Sequence, residues 1–396
     1  MTSGSRAGRV CTTPDHPPPR AAYDVAVLGG GLMGAAAAVL LRRWAPGLDV
    51  VLIEADGIPN EGAATVASPG LLPPVAGEGD AEMAAALRGA RSLVEEALPG
   101  AGGVHAGWLE LASGQGAAAR PVNRLLPAPA VDAVRTMTGV AADHPAVLRA
   151  GGFVSAEALA YRFAREAVRR GADLMLNTRA RPRGGLELAL ERLGLDRRMA
   201  LEVRARHRVV AHAMVVACGA DGAEVAEAAL DGPVRLETVY RQYPRVRLEP
   251  LPAGVTLPVV SLGSWRFRPA PGGAWLVPPA AGADPVGYEP VGGRLMGVPV
   301  GLRRELVEAL LDAPELETLL ASGRLDLGKS VRTVRGARSS VSAGGRGVAR
   351  RVAERWWLLA GSGTDLLADL AGAADVAAEV AAHVGGAAAP WPPERA

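Results

Sequence analysis

Cysteine is scarce in this 396-residue chain: Cys11 and Cys218 are the only two, and they form no CxxC pair. That excludes a disulfide framework and a cysteine-based zinc site. Histidine is scarce too, and the six (16, 105, 144, 207, 212, 383) form no constellation, so neither a metal site nor a histidine acid–base pair is expected. There is no basic block. The 43 Lys and Arg nearly cancel the 41 Asp and Glu, for a formal net charge of +2, which argues against nucleic acid or an anionic membrane as partner. No uninterrupted apolar run reaches the ~18 residues of a spanning helix. The first 20 residues hold Arg6, Arg9 and PDHPPPR but no apolar core, so they do not read as a signal peptide. They read as a flexible arm over 1–21, and the protein is expected to be cytoplasmic. Aromatics reach only 4%, whereas hydrophobic residues as a whole make up 49% and glycine occurs 50 times. Such a chain can bury a sizeable core, in two or three domains with close backbone packing.

The most legible stretch is YDVAVLGGGLMGAAAAVLLRRWAPGLDVVLIEAD, residues 23–56. The apolar run from Asp24 to Leu28 predicts a buried strand. Gly29, Gly31 and Gly34 give G-x-G-x-x-G. Residues Leu32 to Trp44 predict a helix, with Arg42 and Arg43 in its last turn and Pro46 and Gly47 after it. Val50 to Ile53 predicts a second strand, closed by Glu54, 20 residues after Gly34. In such a β-α-β unit the first glycine permits a tight turn, the second lets a pyrophosphate approach, and the third lets helix and strand pack. The free N–H groups at the helix start, around Leu32 and Met33, suit phosphates. Glu54 suits a ribose diol and disfavours a 2′-phosphate, so NADP is disfavoured while NAD and FAD both stay open.

The remaining segments carry weaker signals. Ser155 caps a predicted helix with Glu157 in its first turn, Leu159, Phe163 and Ala167 on one face, and Gly171 beyond its end. Residues Glu82 to Leu98 predict another helix, followed by a Gly/Pro-rich stretch to 149 with no readable structure. Pro271, Gly272 and Gly273 predict a hairpin turn. In the amphipathic segment from Arg303, Leu306, Leu310 and Leu311 are expected on one face. Cys218 reads as a small buried hydrophobe rather than a reactive thiol.

These blocks, in this order over residues 22–385, resemble the flavin amine oxidases of the D-amino-acid oxidase superfamily, especially the glycine oxidase and sarcosine oxidase branch. The resemblance implies a mixed α/β (α+β) fold: a Rossmann-type FAD-binding domain with a second, mostly antiparallel-sheet substrate domain. The FAD domain would take 22–80, 150–232 and 328–388, and the substrate domain 81–149 and 233–327. It favours FAD over NAD. The segment GAATVASPGLLP, Gly62 to Pro73, resembles the family's flavin loop, which implies contacts from Ala64, Thr65, Ser68, Gly70 and Leu71. Ala180 is implied near the adenine, and Cys218 and Gly219 near the pyrophosphate. The closing motif is implied at Gly361, Ser362, Gly363, Thr364, Asp365 and Leu366, where a helix N-terminus meets the flavin pyrimidine. Arg338, in GARS, is implied as the carboxylate anchor, with Tyr240 and Arg241 beside it; a guanidinium binds a carboxylate through two parallel hydrogen bonds.

The implied activity is oxidation of an amine or amino acid by hydride transfer to flavin N5, with O2 as acceptor. The chain departs from the family where SSVSAGGRGVARRV replaces the usual T-P-D-G run and where Ser362 replaces a histidine. No cysteine follows Cys218, so the FAD is expected to be non-covalent. Alternatives to the oxidase are a biosynthetic FAD dehydrogenase of a bulky or carrier-bound amine, a non-catalytic flavoprotein, and an NAD-linked dehydrogenase.

Overall fold

The computed structural model describes residues 7–59, 63–75, 81–101, 103–112, 119–183, 185–198, 200–227, 236–279, 304–339, 348–361 and 365–385. Two large sheets organise them. The first has nine strands. Its centre is parallel: Val10–Cys11, Asp173–Met175, Val50–Ile53, Ala22–Leu28, the end of Leu201–Val216, and Trp356–Ala360 lie side by side in that order. The long strand Leu201–Val216 serves two partners. Most of its length pairs antiparallel with Glu187–Leu195, which in turn pairs with Thr178–Pro182. Val348–Ala353 runs antiparallel to Trp356–Ala360 at the other side.

The predicted helix forms over Leu32–Trp44 and lies against the parallel strands. Ala35 to Ala38 are fully buried, and their small side chains let the helix backbone approach closely. Helices Ala156–Arg169 and Leu366–His383 share this core. Ser155 caps the former by accepting from Ala158 N at 3.1 Å, and Gly171 beyond it takes the left-handed conformation, as the sequence suggests.

The second sheet has eight strands, in the order Leu325–Ser339, Leu236–Arg247, Gly273–Val277, Trp265–Ala270, Val259–Leu262, Trp108–Leu111, Pro145–Arg149, Arg120–Pro121. All its pairings are antiparallel except Val259–Leu262 with Trp108–Leu111. The predicted hairpin turn is present, with Gly272 at φ +67°. Helices Ala128–Thr138 and Arg304–Leu311 contribute to the core on one side of this sheet. No helix among the described residues is long and apolar enough to cross a membrane.

Four expectations change. The segment read as a flexible arm contains an edge strand: Val10–Cys11 pairs with Leu174–Met175, and Arg9 N donates to Asp173 Oδ1 at 2.8 Å. Asp173 also accepts from Tyr23 Oη at 3.1 Å and Arg20 Nε at 3.3 Å, so a buried carboxylate collects donors from the segment and holds it. The unreadable stretch to 149 supplies three strands and the helix Ala128–Thr138 to the second sheet's layer. Helix Ala81–Ala97, expected with the substrate domain, buries Ala86, Ala90, Leu93 and Val94 in the core of the first sheet's helices. Leu311 is 67% exposed whereas Leu310 is buried. Five residues advance a helix about 140° past a full turn, so Leu311 leaves the face that Leu306 begins.

Candidate cofactor site

The site starts where Ala22–Leu28 ends. Gly29 has φ +104°, and a Cβ there would run into the Ala217 carbonyl of the neighbouring strand. Gly29 N donates to Ile53 O at 2.8 Å, tying the turn to the second strand. Gly34 packs so closely beneath the turn that a Cβ would strike Gly29 O. Gly31 differs: within 4 Å its added Cβ would meet only Thr65 Oγ1, at 3.3 Å. Two of the motif glycines are therefore needed for protein packing, and the third faces the mouth of the turn. The helix that follows receives no cap from its own N-cap residue, which is Gly31. Thr65 Oγ1 accepts from Leu32 N at 3.0 Å, which brings the Ala64–Ala67 turn onto the helix start.

Glu54 is buried at the end of its strand. Its carboxylate accepts from Gly30 N at 2.6 Å and from Asp56 N at 3.0 Å. Sequence reasoning passed over Gly30, yet a Cβ there would run into Ile58 and its N–H holds Glu54. The signal was available as the middle member of three consecutive glycines. Thr178 N donates to Glu54 O at 2.9 Å, which brings the strand bearing the partly buried Ala180 close to the same corner.

Cys218 follows Ala217, whose N–H donates to Leu28 O at 2.7 Å. Its own thiol donates to Leu28 O at 3.3 Å. Burial, with the Glu54 and Asp221 charges adding to it, pushes the thiol from 9.0 up to about 12. Next to it Gly219 takes φ +57° with open space around it.

Gly361, at the end of the last parallel strand, sits where a Cβ would come within 2.7 Å of Asp369 Oδ2 and 3.1 Å of Met33 Sδ. It thus joins the start of the first helix to that of the last. Asp365 caps the last helix by accepting from Ala368 N at 3.0 Å, and Leu366 is buried. Ser362, Gly363 and Thr364 lie outside the described residues.

Gly70 takes φ +60° and would strike the Val154 carbonyl if it bore a Cβ. Ser68 Oγ accepts from Gly70 N at 3.2 Å, and Leu71 pairs with Phe153. Leu71 also packs with Trp108, Tyr243, Val259, Trp275 and Val277 of the second sheet. Tyr240, Arg241 and Arg338 are strand positions in that sheet. In backbone register Tyr240 pairs with Arg335, Arg241 with Val334, and Arg338 with Glu237. Their side chains lie outside what the structure describes. The backbone of Leu325–Ser339 passes beside both Ala64–Ala67 and Gly219–Asp221.

The residues fit an FAD. Gly31 leaves the mouth of the turn clear, the N-cap residue of the first helix brings no side chain into it, and a buried carboxylate is fixed at the end of the second strand. The family model described as FAD dependent oxidoreductase matches residues 24–380. The chain belongs to that family. This FAD-dependent oxidoreductase is similar in fold to the glycine oxidase from Bacillus cereus ATCC 14579, at TM-score 0.55 and 16% identity, covering 91% of this chain and 95% of that one. It is similar to the L-proline dehydrogenase from P. horikoshii, at TM-score 0.59 and 18% identity, covering 89% and 92%. It is also similar to the glycerol-3-phosphate dehydrogenase from Bacillus halodurans complexed with FAD, at TM-score 0.60 and 14% identity, covering 92% and 66%. No curated protein sequence matches it. The two-sheet layout is accordingly that of a Rossmann-type FAD-binding domain with a second sheet domain.

Proposed function

We propose that this FAD-dependent oxidoreductase oxidises the C–N bond of a small amine or amino acid. The observation that carries the reading is the meeting of the two sheets. The strand that bears Arg338 runs beside the turns that bear Thr65 and Gly219, next to an apolar wall of Leu71, Trp108, Tyr243 and Trp275. Non-covalent FAD would supply the two-electron chemistry, taking hydride at N5 with O2 as the final acceptor. Glu54 would hold the ribose, and the N–H groups of the helix start beyond Leu32, whose own N–H is taken by Thr65, would face the pyrophosphate. Arg338 anchors a substrate carboxylate, with Tyr240 and Arg241 on the paired strand. The apolar wall keeps water from the reacting carbon and leaves the amine neutral. The similarity to glycine oxidase supports an amino-acid substrate, and that to L-proline dehydrogenase supports a second reading with another electron acceptor.

Sheet membership supports a discontinuous FAD domain that includes helix Ala81–Ala97, takes up again from helix Ala156–Arg169 to strand Leu201–Val216 and resumes after Ser339, with the substrate domain in the two segments between.

The test is a visible spectrum of the purified protein before and after heat denaturation, followed by an amine screen. A flavin band that passes into the supernatant, and peroxide formed with an amine, are expected. Turnover with a dye but no peroxide selects the dehydrogenase. A colourless protein that takes up no added FAD refutes the proposal.

A further inference from the structure

Strand Trp265–Ala270 alternates: Trp265 and Phe267 are buried in the core beneath the second sheet, while Arg266 and Arg268 stand on its other side. The two arginines behave differently. Arg266 stays within its own sheet, donating to Gly263 O at 2.8 Å and Trp265 O at 2.9 Å, over the Trp108 ring. Arg268 crosses to the first domain's loops. Its Nε donates to Pro69 O at 3.0 Å, its Nη2 to Val154 O at 3.4 Å, and its Nη1 to Pro269 O at 2.9 Å. Its guanidinium also lies 4.6 Å from the centre of the Phe153 ring.

Pro69 and Val154 are the two sides of one short ladder. Val154 N donates to Gly70 O at 2.8 Å, and Leu71 and Leu72 pair with Phe153 and Gly152. Left-handed Gly70 fits tightly against Val154, so the ladder end tolerates little displacement. Partly buried carbonyls need donors. A planar guanidinium can serve two carbonyls from a rigid fork while lying flat on a ring, whereas an ammonium has neither the fork nor a flat face.

We propose that Arg268 is the positioning residue that fixes the loop Pro69–Leu71 against the substrate sheet, and so sets where the flavin ring stands relative to the substrate. The inference rests on the reading that this loop borders the flavin. A side chain from one sheet that clamps the loop of the other couples the two positions. Misplacement of reacting groups by about 1 Å costs on the order of 10²-fold in rate.

The experiment compares wild type, Arg268→Lys and Arg268→Met, each stripped of flavin and titrated with FAD while the visible spectrum and thermal midpoint are recorded. Arg268→Met is expected to bind FAD about tenfold or more weakly, because binding must then order a loop that the arginine no longer holds. Its flavin band should change shape, reporting an altered ring environment. Arg268→Lys should fall between the two, because it keeps the charge and at most part of the fork. An Arg268→Met protein with the wild-type FAD affinity and spectrum, whatever its thermal midpoint, overturns the assignment. If that variant does not fold, Arg268→Lys decides: wild-type affinity and spectrum overturn the assignment, and weaker binding with a changed band supports it. A wild type that takes up no FAD refutes the proposed function and this inference together. Variants that bind FAD as the wild type does refute this inference alone.

Discussion

At the scale of single residues, Glu54 has more than one duty. Its spacing from the glycines is the ground for proposing it as the ribose acceptor, and its carboxylate holds the first turn through Gly30 N and the second strand's exit through Asp56 N. The two duties are separable. Glu54→Gln keeps one acceptor oxygen and puts an NH2 against an N–H that needs an acceptor. It should lower the melting temperature and weaken FAD binding by about tenfold or more, since a hydrogen bond to a charged group contributes about 1.5–3 kcal/mol. Titration of the flavin-free variant with FAD measures this, and unchanged affinity would remove Glu54 from the ribose site. Gly30 and Gly70 teach a related point. The close neighbours of these glycines are Ile58 and the Val154 carbonyl, 28 and 84 positions away in sequence, so the run of three glycines flags Gly30 without showing what it packs against, and nothing local shows it for Gly70.

At the scale of elements, the N-terminal strand is the clearest case of tertiary context deciding structure. Val10–Cys11 has no strand-like run around it and sits beside a proline-rich tail. It pairs because Asp173–Met175 offers an open parallel edge and Asp173 accepts from Arg9 N, Arg20 and Tyr23. Arg192 adds to the hold by donating from Nη2 to Thr13 O at 2.6 Å. Removing residues 1–14 should lower stability by about 1–3 kcal/mol while flavin uptake is retained, because the strand lies at the sheet's far edge. Paired thermal melts and FAD titrations check it; an unchanged melting temperature would show that the strand contributes nothing. Helix Ala128–Thr138, by contrast, carries local signals, yet it lies in the stretch to 149 that gave no readable structure. Ala130, Val131, Val134 and Met137 follow helical spacing, and Gly139 closes it in the left-handed conformation. The surrounding Gly and Pro residues obscured it.

At the scale of the whole molecule, the two thiols report the integrity of the fold. Cys11 is buried within the edge strand, and Cys218 is half-buried with its thiol donating to Leu28 O. Burial raises both above their ordinary value, Cys218 to about 12. A thiol with a raised folded value contributes stability that is intact below its unfolded value of 9.0 and lost as pH climbs towards 12. Tyr23, raised by burial beside Asp173, acts in the same direction. The native protein should therefore show no thiol reactive with a disulfide reagent at pH 8 and two after denaturation, with stability falling above pH 9. Prompt labelling of Cys218 in the folded state would contradict its packing. By itself the sequence determined the β-α-β unit with its glycines and Glu54, the helix capped by Ser155, the closing strand and helix, and the family to which the chain belongs. Those signals are local: periodicity, caps and turn residues act within a few positions of one another. Tertiary structure alone decided that the first residues complete a sheet, that helix Ala81–Ala97 packs with the first sheet's helices, and that Arg268 reaches across to Pro69. Each of these depends on open hydrogen-bonding edges and apolar faces that distant segments bring together only when the chain has folded.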